Sequence, residues 1–125
     1  MGKTILVIDD DASIVNFLKE DLLAEGYQVL VGYDGQAALQ MARTKRPHLI
    51  IMDVNMPVFT GPKALEILRG APETRSIPVL FLTGESDHHV AAASADERVG
   101  QLRKPIDLDS FNGIVKDFLA KYPVA

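Results

Sequence analysis

With 125 residues the chain has room for one compact domain, residues 1–125, and for no second catalytic or DNA-binding output domain. Hydrophobic residues make up 47% and charged residues 24%, with both signs mixed, which excludes a disordered chain and supports one proper core. The 17 acidic against 13 basic side chains give a formal charge of -4, the wrong sign for direct nucleic-acid binding, and the lack of cysteine excludes disulfides, thiolate metal sites and cysteine nucleophiles.

The apolar runs are of strand length, far short of the roughly 20 residues of a membrane span, and Met1-Gly2-Lys3 opens no secretory signal, so a cytosolic location is expected. These runs alternate with amphipathic segments in the manner of repeated βαβ units, predicting an α/β fold with five strands. Residues 4–8 are the first strand. Asp11 can cap a helix over Ile14, Phe17, Leu18 and Leu22, with Gly26 ending it. Residues 28–31 are shorter and more polar, as edge strands often are. Asp34 can cap a second helix over Ala37, Ala38, Leu39, Met41 and Ala42, which must stop before Pro47. Residues 49–52 are a second continuous apolar run, and Gly61-Pro62 opens a third helix over Leu65, Ile67 and Leu68, with Gly70 at its exit. Residues 79–82 follow as the third run. Between Glu85 and Arg98 four alanines favour a helix whose only large apolar residue is Val90, so a fourth helix there is expected to be weakly anchored. Residues 99–102 form the other edge, and a final helix carries Leu108, Phe111, Ile114, Val115, Phe118 and Leu119. The three continuous runs suit central parallel strands covered on both faces.

Ligands of open parallel sheets bind beyond the carboxyl ends of the strands, so the residues just after each run carry the functional information. Asp9, Asp10 and Asp11 follow the first run, Asp53 the third strand, Thr83 and Gly84 the fourth, and Lys104 and Pro105 the fifth. Asp9, Asp10 and Asp53 brought within a few Å would raise one another's pKa, a repulsion that a hard cation relieves. Mg²⁺ suits oxygen ligands of this number with room left for water and phosphate oxygens. Lys104 supplies a point charge for a phosphate and Thr83 a hydroxyl donor, so the cluster points to acyl-phosphate chemistry with an aspartate as nucleophile. Asp11 is read instead as a helix cap, His88-His89 as an exposed pair that cannot point one way on a helix, and Arg43, Lys45 and Arg46 as a solvated helix end.

Ile8-Asp9-Asp10-Asp11, the run Asp53-Val54-Asn55-Met56-Pro57 with Gly61 following, Thr83-Gly84 and Lys104-Pro105 together resemble the receiver domain of two-component response regulators, over essentially the whole chain. The resemblance implies a flavodoxin-like (βα)5 fold with strand order 2-1-3-4-5 and phosphorylation by a sensor histidine kinase or phosphotransfer protein. It implies Asp53 as phosphoacceptor, Asp10 as a direct Mg²⁺ ligand, Asp9 as a water-mediated one, the Asn55 backbone carbonyl as a further ligand, and Lys104 and Thr83 on phosphoryl oxygens. Pro105 matches a position whose peptide bond is usually cis. Asn55 and Glu85 match the pair carried by chemotaxis-type regulators, which lose the phosphoryl group quickly. Such a domain is not an enzyme in its own right but assists its own phosphorylation and dephosphorylation. Output is expected on a downstream protein, through the surface of the fourth helix, fifth strand and final helix. Gln101 stands where the family usually carries Tyr or Phe, so a relay through a swinging aromatic ring is not expected.

Two alternatives stand beside this one. A phosphorylation-independent pseudo-receiver would bind partners without taking up phosphate. A hydrolase of the haloacid dehalogenase type would use Asp9 as nucleophile, since Asp9-Asp10-Asp11 after a first strand mimics its D-x-D motif.

Overall fold

The computed structural model describes residues 2–84 and 97–124. Five strands, β1 (Thr4–Ile8), β2 (Gln28–Gly32), β3 (Leu49–Asp53), β4 (Val79–Thr83) and β5 (Val99–Arg103), form one sheet in the order β2-β1-β3-β4-β5, every pair parallel. The described helices are α1 (Ala12–Ala24), α2 (Gly35–Lys45), α3 (Gly61–Arg69) and α4 (Leu108–Lys121), the last being the chain's final helix. This is the flavodoxin-like arrangement, with the two polar runs at the sheet edges as expected. The weakly anchored helix expected between Glu85 and Arg98, with His88, His89 and Val90, falls on residues 85–96 and so lies outside the described residues. Among the described residues no helix is long and apolar enough to cross a membrane.

Side-chain alternation along the strands divides the core in two. Ile5, Val7, Leu49, Ile51, Leu80 and Leu82 point to one face, where they meet Val15, Leu18 and Leu22 of α1 and Phe111, Val115 and Leu119 of α4. Leu6, Ile8, Ile50, Met52, Val79 and Phe81 point to the other and meet Ala38 and Ala42 of α2 and Ala64 and Leu68 of α3. One expectation for α1 fails: Val15 fills the core position, and Phe17 is 47% exposed. Helical spacing allowed both, and the turn of α1 over the sheet selects Val15.

Side chains close the helix starts. Asp11 accepts from the Ser13 N–H at 2.9 Å and Asp34 from that of Ala37 at 2.8 Å, while Thr60 and Asp107 do the same for α3 and α4 at 3.3 Å. Each such cap contributes about 1 kcal/mol. Gly26, with φ of 95°, follows α1 in a conformation that costs other residues energy.

Val58 adopts φ of 72°, and the Phe59 N–H donates to the Pro57 carbonyl at 2.9 Å across it, closing a three-residue γ-turn. A β-branched residue at positive φ is a steric outlier costing about 1–2 kcal/mol, and a side chain 64% exposed recovers little of that by packing. Val58→Asn is therefore expected to stabilise the chain by about 1 kcal/mol, read as a higher urea midpoint with an unchanged slope.

Candidate functional site

β1 and β3 are adjacent in register, Ile8 opposite Met52, so their next residues, Asp9 and Asp53, emerge side by side at the carboxyl edge. The Asp9 N–H still donates to the Gly32 carbonyl at 3.3 Å, which ties this residue to β2 and buries its side chain completely. Asp9 Oδ1 accepts from the Asp11 N–H at 2.9 Å. Asp53 is the last residue of β3 and 7% exposed, whereas Asp10 is exposed. Each of Asp9, Asp10 and Asp53 offers a carboxylate oxygen within 4.8 Å of the others.

β5 delivers the counter-charge. The Lys104 N–H donates to the Thr83 carbonyl at 2.8 Å, extending the β4–β5 ladder by one residue, and the Lys104–Pro105 peptide bond is cis, as the resemblance implied. Lys104 Nζ lies 3.1 Å from Asp53 Oδ1, to which it donates a hydrogen bond, and 3.1 Å from Asp9 Oδ2. The second approach is a charge contact without good hydrogen-bond alignment, which leaves Asp9 Oδ2 buried with lone pairs to spare. Thr83 is buried, and its hydroxyl donates to the Leu102 carbonyl over a long 3.5 Å.

The Asp53 carboxyl is pushed above its usual range, first by burial and next by the Asp9 charge, with Asp10 adding less; the hydrogen bond and charge of Lys104 oppose this without cancelling it. For Lys104, burial alone would lower the pKa, but the close Asp9 carboxylate and the hydrogen-bonded Asp53 carboxylate together hold the ammonium above the usual lysine range.

Of the remaining residues singled out in the sequence, Asn55 is exposed just beyond Asp53, and Gln101 is exposed on β5 opposite Phe81. Glu85 lies outside the described residues. One feature was not legible in the sequence: a groove of about 530 Å³ beside the carboxylates, lined by Ile14, Phe17, Lys104, Pro105 and Ile106. The signal for it is the pair Ile14 and Phe17 at i, i+3, which looked like core.

The profile of the response regulator receiver domain matches residues 5–116. The chain belongs to that family. It is 32% identical over 126 residues to the alkaline phosphatase synthesis transcriptional regulatory protein PhoP of Bacillus subtilis, a match covering 100% of this chain and 52% of the relative. The chain spans about half the length of the curated relatives it matches. Among solved structures, the chemotaxis response regulator CheY4 of Vibrio cholerae is similar with a TM-score of 0.84 and 29% identity, covering 94% of this chain and 99% of that one. The receiver domain of sensor histidine kinase PA1611 from Pseudomonas aeruginosa shares the fold with a TM-score of 0.86 at 24% identity, over 96% and 99% of the two chains. That structure has a magnesium ion coordinated in its active site cleft. The membership leaves the haloacid dehalogenase alternative without support.

The raised pKa of Asp53 has a sign that can be tested. The folded receiver domain binds this proton more tightly than the unfolded chain does. Metal-free stability therefore falls as pH rises from the ordinary value of 3.8 to the raised folded one, and the penalty is complete above that. Asp53→Asn lacks this ionisation. In metal-free buffer it is expected to be more stable than the parent at neutral pH, with the gap closing below about pH 4. Urea midpoints at paired pH values check this; a gap of equal size at both ends would contradict it.

Proposed function

We propose that this receiver domain takes a phosphoryl group onto Asp53 from a phosphohistidine on a sensor kinase or phosphotransfer protein, and thereby changes its affinity for a downstream protein. The observation that carries this reading is the convergence of Asp9, Asp10 and Asp53 on one edge with Lys104 Nζ 3.1 Å from two of them. In the transfer the P–N bond of the donor breaks with its electron pair returning to the imidazole nitrogen, and a P–O bond forms at an Asp53 carboxylate oxygen. Lys104 is already at the acceptor and can follow a phosphoryl oxygen, since its four-carbon stem allows small movements of the ammonium. Thr83 would turn its hydroxyl from the weakly held Leu102 carbonyl to another phosphoryl oxygen, exchanging a poor hydrogen bond for a charge-assisted one.

The donor set fits Mg²⁺: all ligands are hard oxygens, two of the three carboxylates are buried, and Asp9 Oδ2 has unused lone pairs. Asp10 and Asp53 would hold the ion directly, with Asp9 through water and Asn55 through its backbone carbonyl. Bound there, Mg²⁺ supplies positive charge to neutralise phosphoryl oxygens. The magnesium in the PA1611 cleft supports the same assignment.

For output, the β5 and α4 surface remains the proposed contact, together with the segment 85–96. Asn55 with Glu85 favours rapid loss of the phosphoryl group. A cytosolic protein partner is proposed, and no direct contact with nucleic acid or membrane. Phosphate uptake separates this reading from a pseudo-receiver.

Incubation with acetyl phosphate and Mg²⁺ is expected to raise the intact mass by one phosphoryl unit, and Asp53→Asn to abolish the gain. Equal uptake by that variant would move the acceptor elsewhere. Because an ion that binds only the folded state stabilises it, the melting temperature should climb through a Mg²⁺ titration, and Asp10→Ala should flatten the climb. An undiminished response in Asp10→Ala would remove that residue from the ligand set. Without metal the same variant is expected to be at least as stable as the parent, having lost one member of a repelling cluster.

A further inference from the structure

Gly61, the first residue of α3, sits against the end of the acceptor strand. A Cβ placed there would lie 2.7 Å from the backbone carbonyl oxygen of Asp53 and 2.8 and 3.1 Å from Cε1 and Cδ1 of the Phe81 ring. The oxygen belongs to a central strand and the ring is 1% exposed in a close-packed core, so neither neighbour yields readily. The Gly61 N–H donates to the Val54 carbonyl at 2.8 Å, and the Val54 N–H donates to the Leu82 carbonyl at 3.2 Å. Val54, between the acceptor and Asn55, is thereby stitched to α3 on one side and to β4 on the other. Pro62 follows with its φ fixed, so the start of α3 cannot swivel to make room.

We propose that Gly61 and Phe81 are positioning residues for the acceptor: the missing side chain and the ring edge together set how closely α3 approaches the Asp53 carbonyl. Through Val54 that spacing fixes the aim of the Asp53 carboxylate and the Asn55 carbonyl. Phe81 packs in the core shared with α2 and α3, so it acts through the backbone and not on the phosphoryl group. The proposal rests on the reading of Asp53 as phosphoacceptor.

The test uses the full chain as Gly61→Ala, Phe81→Leu and the double variant, each kept well below its urea midpoint. Phosphorylation by acetyl phosphate is timed by intact mass at saturating Mg²⁺, and Mg²⁺ affinity is measured separately by calorimetry. Since a displacement of about 1 Å can cost about 100-fold, Gly61→Ala is expected to slow phosphorylation by about 10- to 100-fold and to weaken Mg²⁺ binding several-fold. Phe81→Leu in that background vacates the ring edge and should recover at least about threefold in rate, although alone it destabilises the fold. Recovery of rate against a loss of stability is something a purely structural role does not produce. A parental rate in Gly61→Ala, or a double variant no faster than Gly61→Ala, overturns the proposal. Should Gly61→Ala fail to fold, Phe81→Leu alone decides: a loss of about threefold in rate supports positioning, and a parental rate overturns it. Asp53→Asn keeps the two readings apart. Uptake by that variant equal to the parent's sinks the acceptor assignment, whereas parental uptake on Asp53 with insensitive variants sinks only the positioning role.

Discussion

Two carboxylates, one fully buried and one nearly so, meet at the carboxyl edge of β1 and β3, and a single ammonium stands between them. Without Lys104 the sheet would close on two like charges in a poorly solvated corner, a repulsion that protonation or an outside cation would have to relieve. Much of the architecture serves to bring this one group to its place. β5 pairs with β4 to its end, the ladder runs on to Lys104 through the Thr83 carbonyl, and the chain then turns away at Pro105. The lysine is thus an internal counter-ion in the metal-free domain, and the proposed chemistry asks it only to follow charge that arrives beside it.

Most of the fold was legible in the sequence because two periods and a few caps determine it. Continuous apolar runs mark strands covered on both faces, and β2 to β5 each extend one residue past the expected end, to Gly32, Asp53, Thr83 and Arg103, because the residue after the run is still paired. Asp11 and Asp34 were readable as caps since a short acid before a helical pattern has few other uses. Phe17 was not readable: a 3.6-residue period leaves neighbouring positions on the margin of a helix face equally plausible, and only docking on the sheet decides between them. The γ-turn at Val58 was invisible for the opposite reason. Val favours extended backbone, and the surrounding loop overrides that preference through bonds from Phe59 to Pro57 and from Gly61 to Val54.

The site shows the same division. Which residues gather follows from their standing just beyond the apolar run of a strand, and that much the sequence carried. How they share charge does not follow from spacing. Lys104 is 51 residues from Asp53 and reaches Asp9 as well, Asp9 is the most buried of the three acids, and Thr83 turns its hydroxyl toward the β5 backbone. Nothing local in the chain encodes those choices, because they depend on which strands end as neighbours. Gln101, which the resemblance set apart in the sequence, is exposed on β5. Its register partner on β4 is Phe81, whose ring is buried in the core.

The strict alternation of core residues on both faces of the sheet also bears on how such a domain can diversify. Inserting or deleting one residue within β3 would exchange Ile50 and Met52 with Leu49 and Ile51 between two differently shaped cores, and would carry Asp53 out of line with Asp9. A change of length is consequently expected to be tolerated better in the loops at the amino-terminal edge of the sheet than within the strands that carry the acids. Edits to those loops could reshape contacts with other proteins while leaving the register that sets Asp53 beside Asp9 untouched.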